Sequence, residues 1–70
     1  MVPLTMAKPG EEATIKRIGG KTEIRQFLES LGFVTGSAVT VIAENGGSVI
    51  VSVKDSRVAV SREMANKILI

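Results

Sequence analysis

The sequence predicts a small, mainly β protein: about five short antiparallel strands closed into a barrel, with one short α-helix inserted between the first two strands. Three observations carry this. Apolar and polar residues alternate through 39–60, Asn45-Gly46-Gly47 separates two such alternating runs, and one window alone, 24–31, changes to helical spacing.

The elements follow in chain order. Leu4 to Ala7 is short and apolar and is closed by Lys8-Pro9-Gly10, in which proline fixes φ and glycine permits the reversal. Residues 13–18 (Ala-Thr-Ile-Lys-Arg-Ile) read as a strand of imperfect alternation that ends at Gly19-Gly20. Ile24, Phe27, Leu28 and Leu31 then fall at i, i+3, i+4 and i+7, the single-face spacing of an amphipathic helix. With Thr22 as N-cap and Gly32 as the left-handed residue after its end, that helix occupies about 23–31. Val39, Val41 and Ala43 alternate with Thr40, Ile42 and Glu44, and Val49, Val51 and Val53 with Ile50, Ser52 and Lys54. Asn-Gly between them predicts a hairpin. Lys54 to Arg57 turns the chain into Val58-Ala59-Val60, and one helical turn at Arg62 to Asn66 precedes a closing strand at Lys67 to Ile70. Closing such strands into a barrel removes the exposed edges of a flat sheet.

Seventy residues allow one core, hence a single domain spanning 1–70. There is no cysteine, so neither a disulfide nor a thiolate metal site supplements that core, and no histidine, the commonest metal ligand and general base. No apolar stretch reaches membrane-spanning length, and Lys8-Pro9 interrupts the start before a signal core forms, so the expectation is a cytoplasmic protein without membrane insertion. A net charge of +2 is too mild for the electrostatic footprint of a nucleic-acid binder.

Gly20-Lys21-Thr22 between a strand and a helix imitates part of a phosphate-binding loop, but the position five residues before Gly20 is Ile15 rather than glycine. The motif reads as a turn with an N-cap. Glu11 and Glu12 are the only adjacent carboxylates and bring no further ligands or base, and no Gly-x-Ser-x-Gly elbow occurs. Neither catalytic residues, nor a cofactor site, nor a metal site is expected. Lys16, Arg17, Lys21 and Arg25 form the densest basic stretch, broken by Glu23 and lacking interleaved aromatics. It reads as a solvated face.

Pairing Glu44 with Ser48 would set Ile42 directly opposite Ile50, both facing away from the core. Those two isoleucines, with Phe33 and Val34 in an exposed turn, are the candidate partner-binding residues. Two readings stay open: an apolar contact surface, or side chains covered by the helix or the terminal strand.

Across Leu4 to Ile70 the chain resembles the ferrous iron transport protein A (FeoA) family. The resemblance lies in Leu4-Thr5-Met6-Ala7-Lys8-Pro9-Gly10, in residues 13–18, in Arg25 to Gly32 with the following Phe33-Val34-Thr35-Gly36, and in Arg57 to Ile68. Thr35 stands where the family usually has proline. The resemblance implies an SH3-like barrel that docks onto the cytoplasmic part of FeoB, the membrane GTPase that imports ferrous iron, with no chemistry of its own. The family is also associated with transition-metal ions, without ligand residues to carry over. The alternative is an SH3-like regulatory module related to the C-terminal domain of iron-dependent repressors.

Overall fold

In the computed structural model, which describes residues 1–70, the chain opens with Val2 and Ile70 exchanging backbone hydrogen bonds at 3.0 and 2.8 Å. A 3₁₀ turn follows at Leu4–Met6, and its Leu4 is fully buried. Next come β1 (Glu12–Thr14), β2 (Arg17–Ile18), α1 (Thr22–Ser30), β3 (Ala38–Asn45), β4 (Ser48–Val53), β5 (Ser56–Ser61), the four-residue α2 (Arg62–Ala65) and β6 (Ile68–Leu69).

The architecture is mainly β and antiparallel throughout, as the alternation predicts. It is not one closed five-stranded barrel. Four strands form a sheet in the order β1-β3-β4-β5, and β2 pairs with β6 in a second sheet. The expected strand at 13–18 is therefore two strands. Ile15 still bonds to the turn that leads into β3, its N–H donating to Ser37 C=O at 2.9 Å and its C=O accepting from Gly36 N–H at 2.8 Å, whereas the Lys16 N–H donates to Leu69 C=O at 2.8 Å. Ile15 and Ile18 are both buried, and two inward positions three residues apart cannot share a continuous pleat of period two.

Helix α1 lies between β2 and β3 in the chain, shifted by one residue from the predicted span. Lys21, not Thr22, is its N-cap and makes no side-chain capping bond. At its other end Gly32 adopts φ +104°, and Gly32 N–H and Phe33 N–H donate to Glu29 C=O and Leu28 C=O, each at 3.0 Å. That pair of bonds is the Schellman arrangement, which brings the second residue past the cap back over the helix's last turn.

The core is one cluster of 13 residues and contains no polar side chain. Valines 39, 41, 49, 51, 53 and 60 supply it from the large sheet. Leu4, Ile15, Ile18, Leu28, Phe33, Ala65 and Ile68 close it from the turn, the small sheet and the helices. Ser61 caps α2 by accepting from the Met64 N–H at 3.1 Å, and Glu44 reaches Arg62 at 2.8 Å.

Candidate contact surface

The central hairpin has a two-residue loop, Gly46-Gly47, with Asn45 paired to Ser48 and Gly46 at φ +62°. The pairing is thus one residue tighter than the expected Glu44–Ser48 register. Ala43, not Ile42, stands opposite Ile50, and the register shifts between Val41 and Ala43, where Ile42 is the extra residue of a β-bulge. This corrects the expected Ile42–Ile50 cross-strand pair. Ile42 is exposed; Ile50 is half-buried on the face away from Val49 and Val51, between Ala43 on β3 and Ala59 on β5.

Phe33 is a second correction. Its exposure is 0%, so it is a core residue and offers nothing to a partner. The Schellman cap at Gly32 explains this, because that motif characteristically packs the residue after the glycine against the helix's last turn, here buried Leu28. Val34, next in the chain, is half-buried.

The helix exposes a residue that its spacing assigns to the core. Phe27 is 50% exposed, while Ile24, Leu28 and Leu31 pack inward. At about 100° per residue, Phe27 lies on one flank of that inward stripe and Arg25 and Glu29 on the other. On the Arg25 side, α1 and β2 enclose an open groove of about 280 Å³ lined by Arg17, Ile18, Arg25, Glu29 and Thr35. Another concavity, about 250 Å³, lies on the large sheet between Glu12 and the Lys54-Asp55 turn.

Gly20-Lys21-Thr22 is a turn leading into α1: Gly20 takes φ +91°, Lys21 precedes the helix and Thr22 begins it. No three acidic side chains converge. Glu11 and Glu12 are both solvent-exposed. No helix is long and apolar enough to cross a membrane.

Comparison with known proteins adds the family. The FeoA domain model matches residues 2–70. A protein of Methanocaldococcus jannaschii named "Putative Fe(2+) transport protein A" is 41% identical over 70 residues, covering 100% of this chain and 85% of the relative. Among solved structures, an iron uptake regulatory protein (FeoA) superposes with TM-score 0.87 at 29% identity, over 96% of this chain and 91% of the other. The FeoA of Stenotrophomonas maltophilia, crystallised with zinc and described as a prokaryotic SH3 domain protein, superposes at 0.83 with 24% identity, over 99% and 88%. A manganese-dependent transcriptional repressor shares the fold at 0.84 with 22% identity, and there this chain spans only 38% of the partner's length.

Proposed function

The chain belongs to the FeoA domain family, and on that premise we propose that it is an accessory protein of ferrous iron uptake that docks onto the cytoplasmic part of the FeoB membrane GTPase. The whole-length match to an Fe(2+) transport protein A carries the reading. The structure is compatible with a role by contact. Its interior is an apolar core, and its exposed large apolar side chains are Met1, Val2 and Met6 at the N-terminus, Phe27 on α1 and Ile42 at the β3 bulge.

Exposed Ile42, with half-buried Ile50 and Val34, supplies apolar contact in this reading; Phe33 does not. Immobilised protein, presented to cytoplasmic extract or to the purified cytoplasmic part of the GTPase, should retain the GTPase and add no hydrolysis of its own; failure to retain it would overturn the reading. The competing reading is a regulatory module, supported by the fold shared with the manganese-dependent repressor. Steeply salt-sensitive retention of nucleic acid, without the GTPase, would decide for that module.

A further inference from the structure

The groove between β2 and α1 presents two arginines with no partner, and we propose that it seats a single acidic side chain, an aspartate or glutamate of the protein onto which the chain docks. This rests on the docking reading above and gives that contact a place and a chemistry.

Arg17 comes from β2 and Arg25 from the first turns of α1, so the two guanidinium groups belong to different walls of one groove. The molecule's one ion pair is Arg62–Glu44, and neither Arg17 nor Arg25 makes a side-chain hydrogen bond. Glu29 lies one turn beyond Arg25 on the helix, but with arginine preceding the acid this is the weaker sense of an i,i+4 pair, and the two do not meet. Two planar donor forks left free on facing elements match the two oxygens of a carboxylate.

The walls are fixed before any ligand arrives. Arg17 and Ile18 pair with Leu69 and Ile68, α1 is anchored through buried Leu28, and Thr35 is held between the Ser37 N–H bond to Val34 C=O and the Gly36 N–H bond to Ile15 C=O. The backbone of the walls therefore has little freedom left to lose, and the ordering cost of binding falls on the two arginine side chains. Ile18, at 9% exposure, is the one apolar residue of the lining.

Glu29 selects the ligand class. Two guanidinium groups against one carboxylate leave the lining a single positive charge, suited to a monoanion, and Glu29 repels the clustered charge of a phosphate. At about 280 Å³ the open groove has room for an acidic side chain.

The test measures affinity of the full chain for the GTPase's cytoplasmic part, alongside NMR titration with the probe peptide acetyl-Gly-Glu-Gly-Asp-Gly-amide and with sodium phosphate. Arg17→Ala/Arg25→Ala, both positions being exposed, should fold normally and bind the GTPase roughly tenfold more weakly, and Glu29→Gln about twofold more tightly. Lys8→Ala/Arg57→Ala, an equal charge change elsewhere, should leave binding unaltered. The peptide should shift the Arg17, Ile18 and Thr35 amides, and phosphate should not. Equal affinity of wild type and the arginine double variant overturns the proposal, as does an equal loss in the Lys8/Arg57 variant. If wild type retains no GTPase, the docking reading fails by itself. The groove then stands on the titration: localised peptide shifts uphold it as a carboxylate site, and diffuse shifts or a preference for phosphate overturn it.

Discussion

Replacing Phe33 tests most directly whether this side chain supports the core or meets a partner. It is the largest fully buried side chain and sits where α1, the turn after it and the sheets converge. Phe→Ala in such a position costs about 3–5 kcal/mol. A 70-residue domain has roughly 3.5–10 kcal/mol of total stability at ~0.05–0.15 kcal/mol per residue, so Phe33→Ala should remove from about a third of it to all of it. Phe33→Leu keeps most of the volume and should cost about 1–1.5 kcal/mol. With a urea m-value of about 1 kcal/mol/M for so small a protein, its unfolding midpoint should fall by about 1 M. Circular dichroism at 222 nm in urea reads the transition, and partner capture is measured on the leucine variant at low urea. A stability within about 0.3 kcal/mol of wild type together with weakened capture would refute the assignment to the core.

The turn between β4 and β5 holds Lys54 and Asp55 at φ +50° and +63°, so Asp55→Gly should raise stability by about 0.5–1 kcal/mol, read as a higher melting temperature. Gly32→Ala should lower it by about 1 kcal/mol or more, because φ +104° is strained for alanine while its nearest neighbour, at 3.5 Å, leaves room for the methyl group. Ser61→Ala removes the acceptor for the Met64 N–H and should cost about 1 kcal/mol in urea unfolding. Ile42→Lys should change stability by less than about 0.5 kcal/mol while weakening capture of the GTPase; unchanged capture removes the apolar contact assigned to Ile42.

What could be read in advance was whatever a short window determines. Helix α1 shows as a change of period, its end as Gly32, and the two central strands as alternation about Gly46-Gly47. The burial of Phe33 was also within reach, since a glycine C-cap already implies an apolar residue after it packed on the last turn. The bulge was not. With Asn45 opposite Ser48, an unbroken register would set Ile42 opposite Val51 and turn Val41 and Val39 to the solvent, because a slip of one residue exchanges the faces of a strand. One extra residue at Ile42 restores Val41 to Val51 and Val39 to Val53, both pairs inward. That choice depends on burial across three strands, and nothing local to 41–43 encodes it. The Arg17–Arg25 groove was hidden for the same reason: the basic stretch was visible, but not the folding that sets two of its members across a concavity.

The broken first strand and the groove have one cause. In a continuous strand over 13–18, Ile15 and Arg17 would share the inward face, burying a guanidinium group in a core that holds no polar partner for it. The cost of an unpaired buried charge is several kcal/mol, a large share of what so small a domain has to spend. Changing sheets at Ile15-Lys16 resets the alternation, so that Ile15 and Ile18 both enter the core and Arg17 emerges beside α1. There it lines the same groove as Arg25. The unpaired charges are thus a consequence of packing the core correctly, and their side chains keep a preference for a carboxylate that no residue of this chain meets.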